Sequence, residues 1–98
     1  MCPALQNPPL ETVSVRVRGQ VQGVGYRATT VRRAHLLGVR GWVQNAPDGS
    51  VEAMLQGTPD QIDRMLEWMG KGPPHAVVRE ITHQPEYIER RFQRFEQL

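Results

Sequence analysis

Nine consecutive residues, Gly19-Gln20-Val21-Gln22-Gly23-Val24-Gly25-Tyr26-Arg27, are the stretch of this sequence best suited to chemistry. Three glycines free the backbone to bring consecutive N–H groups close to a ligand. Such a convergence forms an anion-binding concavity. The pattern turns helical at Arg27, so a helix N-terminus adds partial positive charge. Arg27 itself offers a fixed cation whose planar fork of donors matches phosphate oxygens. The chemistry open to this pattern is capture of a phosphoryl group or a similar oxyanion. A plainer alternative is a flexible turn between a strand and a helix that carries a surface arginine, and glycine spacing leaves both open. The loop is not a Walker A motif, because no Gly-Lys-Ser/Thr follows, and its glycines do not fit G-x-G-x-x-G.

The other chemistry-bearing residues are more scattered. Asn45 precedes Ala46-Pro47-Asp48-Gly49 and reads on its own as a turn residue. His35, His75 and His83 have no ligand spacing and read as surface or partly buried side chains. Asp60 and Asp63 suit the start of a helix. Arg90, Arg91 and Arg94 read as a solvated strand and loop rather than a nucleic-acid site. Cys2 is the only cysteine, so it can form no internal disulfide and build no metal site alone. No metal or cofactor is expected.

The elements that must position these residues carry their own punctuation. Val13, Val15 and Val17 alternate with Ser14, Arg16 and Arg18, a half-buried strand that ends at Gly19. Val31, Ala34 and Leu37 share one face of a helix that begins at Arg27 and stops at Gly38, with Arg32 and Arg33 pointing away. A second strand is expected from Val39 to Gln44. Pro47-Asp48-Gly49 is a turn, and Val51, Ala53 and Leu55 mark a third strand, antiparallel to the second. Thr58-Pro59-Asp60-Gln61 is a capping box with proline at the first helical position. Ile62, Met65, Leu66 and Met69 follow at helical spacing, until Gly70, Gly72, Pro73 and Pro74 end the helix. Ala76 to His83 read as a fourth strand with Val78, Glu80 and Thr82 opposite Val77, Arg79 and Ile81. A short last strand is expected around Arg91 to Glu96. The order β-α-β-β-α-β, plus a short extra C-terminal strand, gives an α+β fold of the ferredoxin-like kind: an antiparallel sheet with two helices on one face.

Composition bounds the rest. Ninety-eight residues make one domain, and 39% apolar with 22% charged residues fits a folded globule. Residues 1–10, with Pro3, Pro8 and Pro9, read as a flexible leader, and 11–98 as the domain. No run approaches the length of a membrane helix. Without a signal sequence, the expected compartment is the cytoplasm. A formal charge of +2 permits an anionic substrate without calling for nucleic acid. An RNA-binding module would share the element order, but it displays aromatics on central strands, and the first and third strands here have none. Nothing demands more than a monomer.

The loop Gly19 to Arg27 resembles the signature of the acylphosphatase family. Gly41-Trp42-Val43-Gln44-Asn45, followed by Ala46-Pro47-Asp48-Gly49-Ser50-Val51-Glu52, resembles its second signature, and the Gly57-Thr58-Pro59 entry and Gly72-Pro73-Pro74 exit of the second helix are also similar. The resemblance covers residues 12 to 97. It implies hydrolysis of the carboxyl–phosphate bond of acyl phosphates, with no cofactor. It implies that the backbone of Gln20, Val21, Gln22, Gly23, Val24, Gly25 and Tyr26 cradles the phosphoryl group. Arg27 would bind the phosphoryl oxygens and Asn45 would hold the attacking water. Position 46 departs from the pattern: many members carry a hydroxyl residue there, and here it is Ala46. Similar domains also lead larger hydrogenase-maturation proteins, but no zinc-finger cysteines follow here, which favours a free-standing enzyme over a binding module without turnover.

Overall fold

The computed structural model describes residues 10–98, so Cys2 and nearly all of the leader lie outside it. The elements run β1 (Glu11–Gln20), α1 (Tyr26–Leu37), β2 (Arg40–Asn45), β3 (Val51–Gly57), α2 (Pro59–Lys71), β4 (Val77–Pro85) and β5 (Phe95–Gln97). The sheet order is β4-β1-β3-β2-β5. Val13, Val15 and Val17 of β1, Val43 of β2, and Val51, Ala53 and Leu55 of β3 turn one face into the core, where α1 and α2 cover it. Each of the larger side chains buried in this way contributes about 2 kcal/mol. This is the ferredoxin-like α+β fold.

Three features differ from the sequence reading, each for a physical reason. First, the sheet is mixed rather than antiparallel, because β5 runs parallel to β2, with Gly41 opposite Phe95. β4 ends at the edge where β1 begins. The chain then runs along that edge, past Thr12 and Gln56 to Gly41, and so enters beside β2 in β2's own direction. Buried Gln56 holds the crossing: its Nε2 donates to the Arg90 carbonyl at 2.9 Å, and its Oε1 accepts from the Phe92 N–H at 2.9 Å. Phe92 is buried on that crossing, outside the short strand.

Second, strict alternation fails in β4. Its register with β1 slips between Arg18, opposite Glu80, and Gly19, opposite Val78, leaving Arg79 as the extra residue of a bulge. Val78 and Ile81 therefore both pack against the core. Gly19 is fixed here by contact, since a Cβ would lie 2.0 Å from the Val77 carbonyl oxygen.

Third, the helix limits and faces shift. α1 begins at Tyr26 rather than Arg27, and its fully buried residues are Tyr26, Thr30 and Ala34, with Val31 and Leu37 only partly buried. Arg33 does not point away but lies over the Trp68 ring of α2, 5.6 Å from its centroid. Gly70 falls inside α2, and Gly72 caps it. The capping box of Thr58 and Gln61 forms as expected, as does the left-handed cap at Gly38.

No helix among the described residues is long and apolar enough to cross a membrane.

Candidate active site

β1 and β2 both pair antiparallel with β3, so they run in the same direction, and β5 follows β2. Their C-terminal ends, Gln20, Asn45 and Gln97, therefore reach one edge of the sheet. The glycine loop leaves β1 at that edge and leads into α1.

Loop and helix start are anchored from below. Val21 is buried, and Tyr26 is 1% exposed, its hydroxyl donating to the Met69 carbonyl at 2.6 Å. Burial pushes the Tyr26 phenol pKa far above its usual value, so it stays a neutral donor. Gly72 leaves the room this ring needs, because a Cβ there would come within 2.9 Å of it. With Tyr26 held, the next residue must leave the core. Gly23 and Gly25 both have φ near 77°, and a Cβ at either would meet nothing within 4 Å. Glycine is thus needed for the backbone angle, not for space. Gly25 is the N-cap of α1, and no side chain caps the helix or places a carboxylate in its first turn. An uncapped helix start behind two left-handed glycines leaves backbone donors for an external acceptor.

Arg27 stands in that first turn. Its Nη1 donates to the Leu98 carbonyl at 2.9 Å, and the Leu98 N–H donates to the Val43 carbonyl at 2.8 Å, extending the β2–β5 ladder. Asn45, two residues beyond Val43, closes β2 opposite Val51 and is exposed. Among the described residues, none forms a hydrogen bond with its side chain. The loop and the Asn45 hairpin also touch: Gln22 Nε2 donates to the Ala46 carbonyl at 2.8 Å and to the Ser50 carbonyl at 2.9 Å. All the site residues read from the sequence thus share one edge. His35, His75 and His83 are exposed. The sequence reading missed the side chain of Gln22 and the carbonyl of Leu98. Both contacts bridge distant segments, and no local signal marks either.

The hairpin itself is braced by charge. Asp48 Oδ1 accepts from the Ser50 hydroxyl at 2.6 Å and from the Ser50 N–H at 3.0 Å. Arg16 donates to Ser50 Oγ at 2.8 Å and also pairs with Glu52. These Ser50 bonds first, then the Arg16 and Arg18 charges, lower the Asp48 carboxyl from 3.8 to about 2. A carboxylate depressed on folding stabilises the fold above its unfolded pKa and loses that contribution as the pH falls through the folded one. The turn should therefore weaken as pH drops from 3.8 toward 2. In Asp48→Asn, the thermal midpoint should fall less steeply over that window than in the wild type. Superimposable acid limbs would show that the turn does not carry this dependence.

Element order and sheet order define a ferredoxin-like sandwich, and comparison with known proteins narrows the class. The acylphosphatase family profile matches residues 13–97. An acylphosphatase of Bordetella parapertussis is 61% identical over 89 residues, covering 91% of this chain and 95% of that one. Among solved structures, an acylphosphatase from Coxiella burnetii superimposes with a TM-score of 0.86 at 32% identity, over 91% of this chain and 93% of that one. One from Bacillus subtilis gives 0.87 at 29% identity, over 92% and 99%. The chain belongs to the acylphosphatase family, and the protein is an enzyme of that class.

Proposed function

We propose that this enzyme hydrolyses acyl phosphates to a carboxylate and inorganic phosphate at the edge formed by the 20–26 loop, Arg27 and Asn45. The observation that carries the reading is the uncapped start of α1 behind Gly23 and Gly25, with Arg27 in its first turn and the Asn45 hairpin bonded to the same loop. In this reading the backbone N–H groups from Gln20 to Tyr26 receive the phosphoryl oxygens, and Arg27 adds a charged fork. Asn45, able both to donate and to accept, orients water for in-line attack.

The chemistry asks for little else. The departing carboxylate has a conjugate acid of pKa about 4 and leaves without a general acid. Phosphoryl transfer rests on positioning and on stabilising charge, which the cradle and Arg27 supply. The acids of the second motif are engaged elsewhere, Asp48 with Ser50 and Glu52 with Arg16, so in this reading the substrate's own phosphate takes the proton of the attacking water. We read the protein as a cytoplasmic monomer whose partner is the small-molecule substrate.

The purified protein should hydrolyse benzoyl phosphate or acetyl phosphate without added metal. It should be far slower on alkyl phosphate monoesters, whose alkoxide leaving groups need an acid. Comparable rates on both classes, or loss of activity with a chelator, would overturn this assignment.

A further inference from the structure

Ala46 raises a question of support. Asn45 sits at the exposed end of β2, its side chain is unbonded among the described residues, and the next side chain offers no hydroxyl to steady it. An asparagine that orients water must nevertheless hold a fixed distance from the phosphoryl cradle. A misplacement of about 1 Å in such a site costs on the order of 10²-fold in rate.

We propose that the side-chain amide of Gln22 is a positioning residue for Asn45, setting the spacing between the phosphate-binding loop and the β2–β3 hairpin. The inference rests on the hydrolytic reading above. Gln22 lies in the loop, and its Nε2 reaches two carbonyls at the mouth of the hairpin, Ala46 at 2.8 Å and Ser50 at 2.9 Å. Only the amide nitrogen can donate to two carbonyls, so the orientation of the group is fixed by its partners. Ala46 directly follows Asn45, and Ser50 directly precedes Val51, the cross-strand partner of Asn45. The two carbonyls therefore flank Asn45 on both strands. The Ala46 N–H donates to the same Ser50 carbonyl at 2.8 Å, which closes the mouth as one unit. Arg16 of β1 holds Ser50 from the sheet and Asp48 holds it from within the turn, so Gln22 pulls against a braced hairpin rather than a loose one. Gln22 thus supplies from across the site the support that position 46 lacks.

The test is a double-mutant cycle between Gln22→Met, which keeps the shape and removes both donors, and Asn45→Ala. kcat on benzoyl phosphate, inhibition by inorganic phosphate and the thermal midpoint are measured on each protein. In the wild-type background, Gln22→Met should lower kcat on the order of tenfold, the scale of two lost neutral hydrogen bonds. Phosphate inhibition should stay within about threefold, because the loop backbone remains. In the Asn45→Ala background, the same substitution should lower kcat by no more than about twofold, since there is no longer an Asn45 to position. Gln22→Glu, whose carboxylate would face two carbonyl oxygens, should be at least as damaging as Gln22→Met. If Gln22→Met does not fold, Gln22→Asn, with its amide one methylene short, takes its place in the cycle. Unchanged kcat, equal losses in both backgrounds, or a loss confined to phosphate affinity would overturn the positioning role. The parent reading fails on a different result: full turnover by Asn45→Ala itself.

Discussion

Arg27→Ala is expected to lower kcat/KM on benzoyl phosphate on the order of 10³-fold, the scale of removing an arginine from a phosphoryl-transfer site. In the proposed site the guanidinium contacts the phosphoryl oxygens before and during transfer, so KM should rise as kcat falls. Inhibition by inorganic phosphate, which resembles the captured group, should weaken in parallel. Arg27→Lys should recover little, because an ammonium is a point charge and cannot reproduce the paired donors of the fork. The bond from Nη1 to the Leu98 carbonyl sharpens this expectation. One arm of the fork is held by the end of β5 and the remaining donors are oriented, an arrangement that a lysine would lose. An arginine serving only to tie α1 to β5 predicts another outcome: a lower thermal midpoint with phosphate inhibition intact. Retained inhibition by phosphate in a folded Arg27→Ala protein would remove Arg27 from the site.

What could be read without coordinates, and what could not, divides along the range of the interactions. The capping box at Thr58 and Gln61, the glycine stop at Gly38 and the valine alternation of β1 are local signals, and each element they mark is present. The bulge at Arg79 was hidden because it arises from β1 meeting β4, and a period-two pattern contains no record of a partner strand. The parallel pairing of β5 was hidden for a similar reason. It follows from where β4 ends and from how Gln56 ties down the crossing chain, both tertiary facts. The candidate site shows the same division. Its glycines were legible because left-handed backbone leaves a mark in the sequence, and Gly23 and Gly25 adopt it. The approach of the Asn45 hairpin to the loop left no such mark. Spacing alone offered only a turn asparagine, and the family resemblance supplied the association. The contacts from Gln22 to Ala46 and Ser50, 24 and 28 residues away, give the association a physical basis.

Asn45→Ala is expected to separate catalysis from binding. Asn45 is proposed to touch the water rather than the phosphate, so removing it should leave phosphate inhibition near that of the wild type. kcat should fall on the order of 10²-fold or more, the scale of losing one preorganised polar group. The exposure of the residue makes a large stability change unexpected, because its side chain fills no core space and satisfies no described partner. Asn45→Asp should fail as well, since a carboxylate lacks the amide donor and repels a dianionic substrate. A residue important only to the hairpin forecasts the reverse pattern. As a turn former beside Ala46, Pro47 and Asp48, it would lower the thermal midpoint modestly when replaced and leave turnover per folded molecule unchanged. Stability, phosphate inhibition and kcat measured on one preparation therefore decide between the two. A folded variant that has lost turnover but still binds phosphate assigns Asn45 to the water, while a less stable but fully active one confines it to the hairpin.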